Sequence, residues 1–179
     1  MINPVARYRN ERKISRRGMS EATKISESAI RQVEEGQFAN IPVAIHAFFE
    51  QNLKITGYDK KQVNETYRDF VKWKREQVRL GLTEIMIMPY DARRVAYYIK
   101  PDEHPFNAYL GYIGALPTLF CQNLCIPKSA FFKYLGGKQR TMPHSMRIAL
   151  HDVGLSFTND IDELDSLGTK FYDNMRARR

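Results

Sequence analysis

Apolar residues recur at helical spacing through the first third of the chain, and residues that favour helix ends separate the runs. Asn3 and Pro4 form a typical helix start, because Asn caps free N–H groups and Pro fits the first helical position. Gly36 is typical of the position just beyond a helix, and Pro42 opens the next one. The predicted helices cover residues 4–13, 15–24, 26–35 and 43–53.

A longer amphipathic helix is predicted over residues 59–80. Lys, Arg and Glu occupy one side of this helix, and an apolar stripe occupies the other. The stripe comprises Val63, Tyr67, Phe70, Val71 and Val78. Two interpretations stay open: the stripe packs on the preceding helices, or it forms a dimer seam or a connector.

The segments 84–88 and 93–100 are rich in Ile, Val and Tyr. Residues of these types favour strands, so the segments fit a β-hairpin around residues 89–91, and they fit the ends of helices equally well. Residues 101–105 contain two prolines, which disfavour regular structure. We therefore expect a linker there.

The C-terminal part again predicts short helices, separated by Pro and Gly. Pro117 and Pro143 lie at helix starts, and Gly136-Gly137 follows a helix end. The last helix starts among acidic residues at Asp160 and finishes in a basic segment, an order that complements the helix dipole. The predicted helices cover 109–116, 117–124, 128–135, 143–153 and the segment from 160 onward.

The composition is that of a globular, basic chain. Hydrophobic residues make up 43% of the 179 residues, enough for a packed core, and the net charge is +8. This charge favours DNA, RNA or anionic lipid as a partner. No apolar run approaches the roughly 20 residues of a membrane span, and the start lacks the apolar core of a secretory signal. We therefore expect a cytoplasmic protein.

Basic residues concentrate in two separate regions, which is more specific than the total charge. The region from Arg7 to Arg17 holds six basic residues and a single acidic one, Glu11. The region from His104 to His151 contains no Asp or Glu. Its basic residues are Lys128, Lys133, Lys138, Arg140 and Arg147.

The segment from Ile14 to Gly36 has the pattern of two short helices that cross at a tight turn. Its apolar inward positions are Ile14, Met19, Ile25, Ile30 and Val33, and it ends in Glu34-Glu35-Gly36. In this pattern the first 53 residues resemble, without a gap, the helix-turn-helix domain of the lambda-repressor and Cro family, also called Xre-type. A motif of this kind places its second helix in the major groove of DNA.

The resemblance implies which residues contact DNA. The polar face of the second helix carries Ser26, Glu27, Ser28, Arg31 and Gln32. The base-reading positions of the family fall on Glu27, Ser28 and Gln32, with Arg31 beside them. Gln suits adenine, and Glu suits the amino group of cytosine.

Arg16 and Arg17 fall where the family typically grips phosphate, and Arg7, Arg9 and Lys13 are further candidates for backbone contacts. Lys24 replaces the usual turn glycine, so we expect it to adopt the turn conformation at a cost of roughly 1 kcal/mol. The alternative is a domain of this shape that contacts protein instead of DNA.

A weaker copy of the pattern runs from Leu116 to Gly137, 101 residues after the first when Gly36 and Gly137 are matched. Phe120, Ile126, Phe131 and Tyr134 take the inward positions, and Lys128, Ser129, Phe132 and Lys133 form the outward face. Lys138 and Arg140 lie in the loop that follows.

This second segment departs further from the family. Pro127 stands at the cap, Cys125 at the turn, and Leu135 in place of Glu. Phe132 lies on a face that should be solvated, so it either meets a thymine methyl group or is buried against protein. The segment is either a second DNA-binding unit or a structural or dimerising domain.

Enzymatic chemistry is not predicted. No phosphate-binding glycine loop occurs, and His46, His104, His144 and His151 are scattered without metal-ligand spacing. Cys121 and Cys125 lie four apart in an apolar stretch and are interpreted as buried small hydrophobic residues. We expect no cofactor, no metal and no catalytic residue.

Together these patterns predict a mainly α-helical protein with two small helix-turn-helix-type domains, residues 1–56 and 106–179. Residues 57–105 would form a long connecting helix and the hairpin or linker. By the family resemblance we expect a DNA-binding transcriptional regulator, a repressor of phage, prophage or plasmid type. We also expect it to associate with the nucleoid and to form a homodimer through the stripe of residues 63–78, because a single DNA-binding unit binds weakly. The alternatives are a protein that binds a replication origin or partition site, and a helical protein–protein interaction module.

Overall fold

The structure, a computed structural model, describes residues 1–53 and 55–178. It is mainly α-helical, as predicted, and none of these residues forms a β-strand. The chain divides into two compact units, Met1–Trp73 and Lys74–Arg179, here called the N-terminal and the C-terminal unit. Each unit has its own core of buried side chains.

Four short helices and the first part of a long one build the N-terminal unit. Capping side chains set the helix starts, as predicted: Asn3 accepts from the N–H of Val5, and Ser26 accepts from the N–H of Ala29. The helices are α1, Pro4–Glu11; α2, Arg16–Thr23; α3, Glu27–Glu34; α4, Val43–Ala47, which continues into a π-helical turn, Phe48–Asn52; and α5, Lys60–Arg79.

The core of the N-terminal unit contains the apolar positions of the first motif. Met19, Ile30 and Val33 are fully buried, and Ile14 and Ile25 are partly buried against them. The predicted inward positions are confirmed. Their burial holds α2 and α3 together at the turn.

The apolar stripe of α5 packs against other residues of the same chain. Val63 and Tyr67 are buried in the core of the N-terminal unit, and Val71 packs against that core. Phe70 is buried too, and Val78 lies in the core of the C-terminal unit. Packing on the preceding helices is therefore confirmed for Val63, Tyr67 and Val71, whereas Val78 packs in the other unit. The dimer-seam interpretation is wrong because a seam needs exposed side chains, and most of the stripe is buried.

The C-terminal unit contains the end of α5 and six further helices among the described residues. A loop follows α5, and π-helical and 3₁₀ turns extend two of the helices. The helices are α6, Ala92–Val95, with a 3₁₀ turn at Ala96–Tyr98; α7, Pro105–Tyr112; α8, Pro117–Leu124; α9, Lys128–Leu135; α10, His144–Asp152; and α11, Asp162–Ala177, preceded by a π-helical turn at Phe157–Ile161.

The β-hairpin alternative for residues 84–100 is wrong. Residues 84–88 are irregular, and the second segment is helical because the Asp91 carboxylate caps α6 by accepting from the N–H groups of Arg93 and Arg94. The backbone around residue 88 bonds to side chains instead of a partner strand. The hydroxyl of Tyr109 donates to the Met88 carbonyl oxygen at 2.7 Å.

The linker prediction for residues 101–105 also needs correction. These residues lie within the C-terminal unit, and Pro105 begins α7 instead of interrupting structure. Proline fits the first helical position, and the His104 ring caps the helix by accepting from the N–H of Phe106 at 3.2 Å. The helix predicted at residues 109–116 therefore starts and ends four residues earlier than expected.

The two units repeat one fold with a constant offset of 101 residues. Helices that start at Pro4, Arg16, Glu27 and Val43 in the first unit start at Pro105, Pro117, Lys128 and His144 in the second. Three residues with a positive φ in the first unit also have a counterpart with a positive φ in the second. The matched pairs are Lys13 and Gly114, Lys24 and Cys125, and Gly36 and Gly137.

The same offset relates α5 to α11. Val63 corresponds to Leu164, and both are buried in the core of their own unit. Tyr67 corresponds to Gly168, where a bulky ring in one unit is matched by no side chain in the other. The chain therefore holds two copies of a five-helix fold whose cores are packed differently.

Candidate nucleic-acid interface

The turn between α2 and α3 has the geometry expected from the sequence. Lys24 adopts the left-handed conformation, with φ 59° and ψ 19°, and its N–H donates to the Ser20 carbonyl oxygen. The hydroxyl of Thr23 donates to the Met19 carbonyl oxygen at 2.8 Å and accepts from the N–H of Ile25. The expectation for Lys24 is confirmed, and the turn closes without a glycine.

The outward face of α3 is polar and open. Glu27, Ser28 and Arg31 are exposed, and Gln32 is half-buried. Ser26 begins this face but serves as the helix cap, so its hydroxyl oxygen is engaged with the backbone at 3.2 Å. Glu27, Ser28 and Gln32, the predicted base-reading residues, therefore lie on the accessible face of α3 together with Arg31.

Two arginines of this surface form ion pairs with a glutamate one helical turn further on, Arg17 with an exposed partner and Arg31 with a half-buried one. Arg31 contacts Glu35 at 3.0 Å, and Arg17 contacts Glu21 at 3.0 Å. Exposed pairs at this spacing contribute only about 0.3–0.5 kcal/mol. Neither pair therefore holds its arginine strongly in place.

Arg16 has a second role that the sequence pattern did not indicate. The carboxylate of Glu34, almost fully buried at the end of α3, accepts from Arg16 Nε at 2.7 Å and from Arg9 Nε at 2.5 Å. Arg9 also donates to the Ile14 carbonyl oxygen. Its guanidinium is therefore engaged inside the unit and is not placed to contact the phosphate backbone of DNA. Arg16 is half-exposed and remains accessible.

A signal for this cluster exists in the sequence. Glu34 follows Ile30 by four residues, which places both on the inward face of α3. A carboxylate on an inward face is costly unless a cation pairs with it. Together with Arg9 and Arg16 it ties α1, α2 and α3 to one another.

The turn of the second motif repeats that of the first. Cys125 adopts the left-handed conformation, with φ 56° and ψ 42°, and α9 begins after Pro127. The end of α8 is covered by basic residues of α5 that the sequence pattern did not single out. Lys74 Nζ donates to the Gln122 carbonyl oxygen at 2.5 Å, and Arg75 Nε donates to the Leu124 carbonyl oxygen at 3.0 Å.

The outward face of α9 combines Lys128, Ser129, Phe132 and Lys133, which are exposed except for the half-buried Lys128. Phe132 is 42% exposed, so it is not buried within the described chain. The inward residues Phe120, Ile126, Phe131 and Tyr134 are fully buried, as predicted.

Acidic residues of α11 neutralise part of the second basic region. Arg140 forms two hydrogen bonds of 3.0 Å with Asp173, which raise the pKa of Arg140 and lower the pKa of Asp173. Arg147 pairs with Asp162 and Asp165, so its pKa is raised too. Lys138 is exposed.

The acid-free stretch from His104 to His151 is therefore less basic in the fold than in the sequence. Arg140 is an exposed but paired candidate for DNA contact, and Arg147 is engaged at the side of α10. Within this stretch, the exposed lysines are Lys133 on α9 and Lys138 in the loop after it.

The two cysteines are buried and form no disulfide. Burial raises the pKa of the Cys121 thiol to about 12, so it stays protonated at neutral pH. The interpretation as small buried hydrophobic residues is confirmed. Cys125 lies just beyond the end of α8, at the turn where the second motif places it.

Within residues 1–53 and 55–178, no helix is long and apolar enough to cross a membrane. Among the same residues, no three His, Cys, Asp or Glu side chains are clustered to hold a metal ion. No family model matches the chain, and no curated protein or solved structure shows significant similarity to it.

Proposed function

We propose that this protein is a sequence-specific regulator of transcription that binds double-stranded DNA through two helix-turn-helix units of the lambda-repressor and Cro type. The regulator is a repressor of phage, prophage or plasmid type by the same resemblance. The observation that carries the proposal is the repetition, at one constant offset, of two eight-residue helices joined by a left-handed turn.

The chemistry of the two outward faces supports this proposal. A helix of this size fits the major groove, where side chains meet base edges. In the N-terminal unit, Gln32 and Glu27 supply the groups that suit adenine and cytosine, while Arg16 and Arg17 lie at the start of α2 for phosphate. In the C-terminal unit, the exposed Lys133 and Lys138 would contact the phosphate backbone of DNA.

The two units would recognise different half-sites. Glu27, Arg31 and Gln32 of α3 correspond to Lys128, Phe132 and Lys133 of α9 at the constant offset. No pair has the same chemistry, so one chain carries two unlike reading helices. A single copy can then engage two half-sites, and a homodimer is not needed for two-part recognition.

Selection of bound sites from random duplex DNA tests the proposal. We expect the wild-type protein to enrich a defined sequence at physiological salt, and Gln32→Ala to relax preference at one base pair by about 1–3 kcal/mol. Gln62→Ala, an exposed glutamine on α5, is the matched control and should retain the wild-type preference.

Failure to enrich any sequence would contradict the proposed function and favour an interaction module. A loss of affinity in Gln32→Ala that is equal for all sequences would remove Gln32 from the base-reading residues.

A further inference from the structure

Phe132 is the feature of the C-terminal unit that phosphate binding does not explain. It lies in the middle of the outward face of α9, with Lys128 one helical turn before it and Ser129 and Lys133 beside it. Lysine and serine suit a wet, anionic partner, whereas an exposed phenylalanine ring needs an apolar contact. A partner for this face must therefore offer negative charge around an apolar group.

The Phe132 ring packs on buried aromatic rings of the core. Phe131, fully buried, meets Phe132 edge-on with ring centroids 5.5 Å apart and stacks on Phe120 at 5.6 Å. The corresponding core residues of the N-terminal unit are the aliphatic Ile30 and Met19. The second unit thus supports its exposed ring on a platform that the first unit lacks.

Charge on this face points to the same partner. No Asp or Glu occurs between His104 and His151, so α9 carries no carboxylate that would repel phosphate. The matching position of the N-terminal unit is Arg31, which is paired with Glu35. An arginine in one copy and a phenylalanine in the other indicate that the two faces recognise different groups.

We infer that Phe132 is a specificity-determining residue that selects a thymine in the half-site bound by the C-terminal unit, through contact with the thymine C5-methyl group. This inference rests on the proposed function. Among the base edges in the major groove, the thymine methyl is the apolar group, and the phosphates beside it supply the negative charge that suits the flanking lysines.

The test uses the duplex that the wild-type chain selects from random DNA, with each thymine replaced singly by deoxyuridine, which lacks only the methyl group. We expect one replacement to lower wild-type affinity about fourfold, the change that corresponds to the burial of one methyl group. The Phe132→Ala variant should bind the thymine and deoxyuridine duplexes equally at that position.

Tyr97→Ala is the matched control, because it removes a more exposed aromatic ring from the same unit and should keep the fourfold difference. The wild-type scan needs no folded variant. A wild-type scan without any loss, or an equal loss in Phe132→Ala, would overturn the role of Phe132 while an enriched sequence leaves the proposed function standing. If no sequence is enriched, the proposed function and this inference both fall.

Discussion

Gly168 in α11 shows how one residue distinguishes the two cores. A Cβ atom at this position would overlap the Tyr134 hydroxyl oxygen, lie 2.8 Å from Tyr134 Cζ and lie 3.0 Å from His104 Cε1. The N-terminal unit has Tyr67 at the position that matches Gly168, and the smaller residues Val33 and Asn3 at the positions that match Tyr134 and His104. The large side chain is therefore on the long helix in the N-terminal unit, and on the neighbouring segments in the C-terminal unit.

Gly168→Ala should therefore destabilise the protein, although glycine to alanine inside a helix ordinarily stabilises by about 1 kcal/mol. We expect a loss of about 1–3 kcal/mol from overpacking, measured by urea denaturation. Adding Tyr134→Phe, which removes the obstructing hydroxyl, should recover part of it. A Gly168→Ala variant as stable as the wild type would contradict this packing.

His104 is a second residue whose role differs from its counterpart, Asn3. Its ring is buried between Tyr134 and Phe171, with centroids 4.3 Å and 5.2 Å away. Because Nδ1 accepts from the N–H of Phe106, the proton of the neutral ring lies on Nε2, which has no hydrogen-bond partner among the described residues. Burial lowers the pKa of His104 to about 4.

Acidification should therefore weaken the fold before the carboxylates titrate. The unfolded chain, with an ordinary histidine pKa near 6.5, binds the proton more readily than the folded chain does. Stability is present above that value and is lost as the pH falls toward 4, by about 2 kcal/mol at pH 5. The neutral form also preserves the cap of α7, since a protonated Nδ1 cannot accept.

His104→Asn, which copies the Asn3 cap, should show a smaller loss of unfolding free energy between pH 7 and pH 5, whatever its absolute stability. His144→Asn, at an exposed histidine, is the control and should keep the wild-type pH dependence. Identical pH profiles for His104→Asn and the wild type would exclude His104 as the cause.

At the scale of elements, the three helices around each turn are joined by different chemistry in the two units. The N-terminal unit uses the buried Glu34 carboxylate, held by Arg9 and Arg16. The C-terminal unit has Leu135 in place of Glu34 and Leu110 in place of Arg9. Leu110 is buried in the core of that unit and Leu135 packs against the same core, so apolar packing takes the place of the charged cluster.

Removing Arg9 alone should lower the free energy of unfolding more than replacing both buried residues, Arg9 and Glu34, by apolar ones. We expect Arg9→Leu to lower the free energy of unfolding by about 3 kcal/mol, because the buried carboxylate loses its covered partner. Arg9→Leu combined with Glu34→Leu copies the C-terminal unit and should be more stable than Arg9→Leu. A double variant whose loss equals the sum of both single losses would contradict this coupling.

Helix ends that depend on local residues could be predicted from the sequence. The starts at Pro117 and Lys128 and the end before Gly136 agree with the structure, because caps, proline and glycine act within one turn. The hairpin prediction was wrong because Asp91 caps a helix and because the Met88 carbonyl oxygen accepts a hydrogen bond from Tyr109, 21 residues along the chain. Contacts over such distances leave no local pattern.

At the scale of the whole molecule, the sequence showed the repeat of the two units only in the segments 14–36 and 116–137, around the two turns. The Tyr67 and Gly168 pair hid the relation of α5 to α11, since the two residues have opposite size. The pairing of Arg140 and Arg147 with acids of α11 could not be predicted either, because those acids lie 15 or more residues along the chain. Tertiary packing, not composition, sets which cations remain exposed.

The central proposal is that one chain carries two unlike DNA-reading units. The most direct test compares the sequences that the wild type and the Lys128→Ala/Lys133→Ala variant select from random duplex DNA at physiological salt. We expect a two-part consensus for the wild type and loss of one part in the variant, with the part read by α3 retained. A consensus unchanged by the two substitutions would contradict DNA reading by the C-terminal unit, and the absence of any enriched sequence would contradict DNA reading altogether.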